Sequence, residues 1–324
     1  MKPIKQSSLT SSQAGLLFLV TYMLLFVAQL VVTLVCEGDL MLHLTGVLNG
    51  VVMTSAVLIG TRVMGAPVRS VFGSKPRPHV AHLGLAAALT LFAVLFSLPI
   101  MQGIGQLFSL LGYNPPSPYA DYYSSVPKML LALLTMALLP AIGEEILVRG
   151  SLFGGLRAKG TVFAGVFSAL VFALMHGGPT QFFHQLLLGL LFAFLYHMTG
   201  SLIVSIVAHF VNNVIAILHD FLLYQFAPHD FVYPVWAFVL MAVVGFVGLV
   251  LILFFYMRRV WNKSPEAADG GESAPKISER LQVVLNHRGE YVPYDRQAPL
   301  GFGWVAGIFM IVVWLVNTIT GWIS

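Results

Sequence analysis

Three short stretches of this sequence hold residues able to do acid–base chemistry. Glu144, Glu145 and Arg149 lie in the first, His176 in the second, His209 and Asn213 in the third. A carboxylate near two imidazoles can draw a proton from water and give it up later. Imidazole and amide N–H groups can steady the negative charge that grows on an attacked carbonyl oxygen. Helical spacing assigns their faces, because positions four apart share one side of a helix. Glu145 and Arg149 are so related and can neutralise each other, and His209 and Asn213 share a face. Phe172 and His176 do the same. Glu144 is turned about 100° from Glu145 and is expected to face a different neighbour.

All three stretches sit inside apolar runs. An ionisable group at the centre of a membrane helix costs about 2.5–3.5 kcal/mol. Such groups can serve only as glue between helices, or they can line an ion pathway. Glue needs one carboxylate for Arg149, which leaves Glu144 over. A spare carboxylate close to two imidazoles is the arrangement that water activation requires.

The elements that carry these groups follow from composition. The chain has 324 residues, of which 58% are hydrophobic and 9% charged. A soluble domain has about 25% charge, so this chain cannot clothe its own surface in water. The single cysteine, Cys36, excludes an intrachain disulfide framework and a multi-cysteine metal site. The apolar run 14–36 exceeds the ~7–15 residues of a signal-peptide core and reads as a retained span. No nucleic-acid signature is present.

The expected fold is all-α, a polytopic transmembrane bundle of about nine spans: 14–36, 40–62, 83–111, 128–156, 160–178, 180–198, 201–219, 232–257 and 301–323. With the N-terminus in the cytoplasm, 15 of the 17 Lys and Arg residues fall inside. Lys128 falls outside, and Arg149 lies within a span. That bias sets orientation by the positive-inside rule. The expected organisation is three N-terminal spans in 1–127, a four-span core in 128–220 and an eighth span in 221–257. A charged cytoplasmic segment follows in 258–300, its start disordered and a short helix near 277–287, and then a last span in 301–324. Localisation is multi-pass in a membrane, the cytoplasmic membrane in a prokaryote, with lipid as the surrounding partner.

Depths agree with convergence. At 1.5 Å per residue, Glu144 lies ~20 Å above Arg157 and His176 ~25 Å above Lys159. His209 and Asn213 lie ~12 and ~18 Å above Ser201. Pro140 should loosen its helix one turn before Glu144.

The residues also form a recognisable order. Glu144-Glu145-Ile146-Leu147-Val148-Arg149 reads E-E-x-x-x-R, Phe172 to His176 reads F-x-x-x-H, and His209 to Asn213 reads H-x-x-x-N. This order, with Thr199-Gly200-Ser201-Leu202 leading into His209, resembles the CAAX prenyl protease and bacteriocin-processing (CPBP or Abi) family of intramembrane proteases. The resemblance covers about 128–220. It implies hydrolysis of a peptide bond in or near the membrane. In the type II CAAX endopeptidases that bond follows a prenylated cysteine, so the implied partner is a protein or peptide, prenylated in that case. It implies Glu144 as general base, His176 assisting it, His209 and Asn213 as oxyanion donors, and Glu145 with Arg149 as their support. A cofactor is not required, although Glu144, His176 and His209 could together hold Zn2+ with water as fourth ligand.

Alternatives from other classes are a non-catalytic immunity or scaffold protein of the same fold, and a transporter. A transporter should repeat its broken helices in both halves, and no segment matches the one containing Pro140. His184 and His197, in the sixth run, are read as packing residues, and the remaining histidines as loop or near-loop residues.

Overall fold

The computed structural model describes residues 8–75, 77–113, 122, 124–228, 233–262 and 301–323. Among them are nine apolar helices and no strand. These are α1 (Ser11–Val35), α2 (Gly38–Val63), α3 (Val80–Leu110), α4 (Val126–Lys159) and α5 (Thr161–Met175). They continue with α6 (Pro179–Thr199), α7 (Leu202–Phe226), α8 (Val235–Asn262) and α9 (Val305–Ile323). The protein is a multi-pass integral membrane protein. The charged segment expected over 258–300, with its short helix, lies almost wholly outside the described residues.

Seven of the nine are long and apolar enough to cross a bilayer, and α5 and α9 are shorter. For α5 the physical reason is local. Its 15 residues reach only about 22 Å, against a hydrocarbon core of about 30 Å. His176 ends the helix, and Gly177 follows at φ +87°. A residue with a Cβ rarely adopts that conformation, so the turn into α6 is set at Gly177 and His176 sits at its edge.

Helix α1 begins with a reciprocal cap. Thr10 Oγ1 accepts from the Gln13 backbone N–H, and the Thr10 N–H donates to Gln13 Oε1. Helix α4 is the irregular one. Wide π-type turns at Leu133–Leu138 and Ile146–Phe153 flank an ordinary helical stretch, Leu139–Glu145. Pro140, which has no N–H to donate, lies two residues after the end of the first wide stretch. The loosening expected near Pro140 therefore takes the form of wide turns, which often occur at functional sites.

The second half of α4 is the hub of the core. Ile146, Leu147, Val148, Leu152 and Phe153 are buried there, in one cluster with Phe172, Leu188, Phe192 and Val204. On its other side α4 meets α2 backbone to backbone. A Cβ built on Gly143 would overlap the Asn49 carbonyl, so this approach needs a glycine next to Glu144. The start of α4 is clasped to α2 as well. Lys128 pairs with Asp39 at 2.8 Å, and His43 bridges Tyr122 and Thr135 at 2.7 Å each. Burial, with the Asp39 carboxylate adding to it, pushes the Tyr122 phenol above its ordinary range.

Candidate active site

Arg149 is wholly buried, so its charge must be met by protein. Nη1 donates to Glu145 Oε1 at 2.9 Å, and Nη2 donates to the Gly189 carbonyl of α6 at 2.9 Å. The guanidinium also lies over the Phe172 ring at 4.5 Å and the Phe192 ring at 5.5 Å. Charge, hydrogen bonds and ring faces together fix α4 against α5 and α6.

His209 comes in from α7. Its Nδ1 lies 3.2 Å from Glu145 Oε1, and its ring stacks on Phe192 with centroids 5.2 Å apart. Phe172 meets the same ring edge-on at 5.4 Å. His176 is held by its own helix end, with Nδ1 2.8 Å from the Phe172 carbonyl oxygen. The two remaining ring nitrogens converge on one atom. His176 Nε2 is 3.6 Å from Glu144 Oε2, and His209 Nε2 is 3.8 Å from it.

The partners assign the tautomers. A carbonyl oxygen only accepts, so Nδ1 of His176 carries the proton. The carboxylate of Glu145 does the same for Nδ1 of His209. In the neutral rings each Nε2 is then a lone pair facing Glu144. Glu144 Oε2 is itself buried without a hydrogen-bond partner. Three acceptors thus surround a point too wide for direct bonds between them and suited to a small proton donor.

Asn213, one turn beyond His209, donates from Nδ2 to the Ala137 carbonyl at 3.3 Å. Ala137 lies in the first wide stretch of α4. Five of the six expected residues are therefore joined by direct contacts, and Asn213 joins them through the backbone ahead of Glu144. One expectation needs correcting. Glu144 and Glu145 do not go to separate neighbours, because the His209 ring presents one nitrogen to each of them. Among the described residues, no group of three or more His, Cys, Asp or Glu is arranged to hold a metal ion.

Comparison with known proteins bears on the same segment. Residues 126–215 match the family model described as type II CAAX prenyl endopeptidase Rce1-like. A Bacillus subtilis (strain 168) protein named "Putative membrane peptidase YdiL" is 25% identical over 181 residues, which are 55% of this chain and 73% of that protein. No solved structure matches. Both findings support the CPBP resemblance and point to a membrane peptidase.

In and around the matched segment lie polar groups that spacing alone did not single out. His184 on α6 and Asn212 on α7 are buried; Ser97 Oγ of α3 lies 2.7 Å from His184 Nδ1, and Asn212 Nδ2 donates to Asn213 Oδ1 at 3.0 Å. Asn212 sits beside Asn213 in sequence, and that adjacency was the one available signal. Nothing local to Ser97 marks it.

Proposed function

We propose that the protein is an intramembrane endopeptidase. It hydrolyses a peptide bond near the C-terminus of a membrane-associated protein or peptide, with prenylated CAAX-type sequences the first class to test. The observation that carries this reading is the unpartnered Glu144 Oε2 facing the lone pairs of two histidines. Water bound among them can donate one hydrogen to the carboxylate and the other to an imidazole.

In the proposed reaction Glu144 takes a proton as the water oxygen bonds to the scissile carbonyl carbon. The carbonyl π pair moves onto its oxygen. Asn213 offers that oxyanion an N–H, and His209 can do so from Nε2 only when both its ring nitrogens are protonated. Glu145 Oε1, at 3.2 Å from Nδ1, is the group that meets that charge. The C–N bond then breaks, and the proton held by Glu144 passes to the leaving amine. His176 orients the water and can relay the proton. The mechanism uses protein groups alone.

Positive charge supports an orientation with the N-terminus in the cytoplasm, which reporter fusions at each loop would test. The activity is tested by mass spectrometry of peptides released in membranes carrying wild type or Glu144→Ala. Products that depend on Glu144 are expected. An identical product set in the two membranes would end the peptidase reading.

A further inference from the structure

We propose that the start of α6, together with Trp314 and Asn317 of α9, binds the C-terminal carboxylate of the substrate. The proposal rests on the reading of the protein as an endopeptidase that cuts near a C-terminus, and it names the groups that measure that distance. The two α9 residues lie outside the matched segment 126–215.

Helix α6 begins at Pro179, three residues after His176. Its N-cap is Gly178, which has no side chain to offer, and its first turn holds no acidic residue. The first N–H groups of a helix have no partner within it, and they carry the positive end of its dipole. Such an end suits an anion. Tyr113 backs the turn, since a Cβ on Gly178 would overlap its hydroxyl. Helix α9 reaches the same turn. Trp314 packs edge-on against Phe182, in the first turn of α6, with ring centroids 6.0 Å apart. Its indole N–H is buried and meets no hydrogen-bond partner. One turn further along α9, Asn317 Nδ2 lies 3.8 Å from the place that a Cβ on Gly177 would take. No described residue hydrogen-bonds that amide.

These observations are independent and point one way. An indole N–H can only donate. Left unmet and buried it is costly, and a ligand that accepts removes the cost. Asn317 is exposed and stands twelve residues into α9, or about 18 Å along it. At that depth lipid offers its amide no partner. Trp314 and Asn317 share one face of α9 at a spacing of three. A carboxylate accepts from several donors at once, and a free peptide C-terminus supplies one. The distance to the chemistry also fits. His176 Nε2 is 3.6 Å from Glu144 Oε2, and Gly177 and Gly178 follow His176 directly. Three residues of extended chain reach about 10 Å. A substrate cut about three residues from its end therefore brings its carboxylate to this turn.

The test uses the full chain in lipid nanodiscs and one internally quenched farnesylated peptide made in two forms, with a C-terminal acid or a C-terminal amide. Wild type should show a KM at least about 10-fold lower for the acid, the scale of hydrogen bonds to a charged group, with kcat within about 2-fold. Trp314→Phe keeps the ring against Phe182 and removes only the N–H. In Trp314→Phe and in Asn317→Leu the difference in KM between acid and amide should shrink to about 3-fold or less. Equal KM for the two peptides in wild type, or a difference that survives in both variants, would overturn the carboxylate site and leave the peptidase reading standing. Cleavage of both peptides at the wild-type rate by Glu144→Ala would defeat the peptidase reading instead, and a second arm then decides the site without catalysis. The nitrogen-15 signal of the Trp314 indole, assigned by its loss in Trp314→Phe, should move when a short apolar peptide acid is added and stay when its amide is added. A signal that ignores the acid, or follows both peptides equally, overturns the proposal.

Discussion

Helices α6 and α8 are both apolar spans, yet they live in different surroundings. The α8 span is the most apolar of the seven and only 6% of it is buried in protein. The α6 span is the least apolar and is 67% buried. The usual soluble-protein rule, that the most apolar element lies deepest, is inverted. Lipid tails are as good a solvent for leucine as a protein interior, so apolarity alone drives no helix inward. What draws a helix into the bundle here is specific pairing: small residues, ring faces and polar groups that need partners. Helix α6 supplies the Gly189 carbonyl for Arg149, Phe192 for His209, and His184 for Ser97. Helix α8 presents Val243, Val247 and Leu251 outward.

That contrast can be broken at several points. The largest effect should come from Glu144→Ala, a loss of about 10²–10⁴-fold in cleavage with thermal unfolding unchanged. Unchanged cleavage, or a protein that no longer folds, would remove Glu144 from the chemistry or make it structural. Next comes Arg149→Met, which strands buried Glu145. Breaking a buried pair costs about 3–5 kcal/mol, so expression and melting temperature should fall sharply. Adding Glu145→Gln should recover much of the stability but not the cleavage, and no recovery would mean the pair is not the cause.

Gly143→Ala tests the α2–α4 contact and should cost about 1–3 kcal/mol by overpacking. Because Glu144 is the next residue, kcat should drop more than KM changes, and a neutral substitution would show that the helices can separate freely. The smallest effect should be on α8. Val243→Ala and Leu251→Ala, at positions 54% and 49% exposed, should stay within about 0.5 kcal/mol of wild type and leave cleavage unchanged. A large loss there would show that α8 packs against a protein partner instead of lipid.

Much of the site was legible before any coordinates, for identifiable reasons. The Glu145–Arg149 pair is an i, i+4 contact, so helix geometry alone predicts it. The apolar segments follow from run length and charge, and the nine helices match them. Helix α5 was harder to read, because its end depends on one backbone dihedral at Gly177. The wide turns of α4 were visible only as a disturbance expected near Pro140. One of their carbonyls, that of Ala137, is met by Asn213 of α7, a partner that the local sequence of α4 does not contain.

Residue identities and helical period determined which side chains share a face, which runs reach across a bilayer, and that one carboxylate exceeds what Arg149 can neutralise. These are local properties, settled within a few turns of one helix. Only the tertiary structure decided that the two nitrogens of His209 meet two different glutamates, that Gly189 receives Arg149, and that Ser97 on α3 meets His184 on α6. Such links join residues up to 87 positions apart, and they depend on how helices rotate and slide against one another. That rotation is set by packing and hydrogen bonds between helices, which no single stretch of sequence contains.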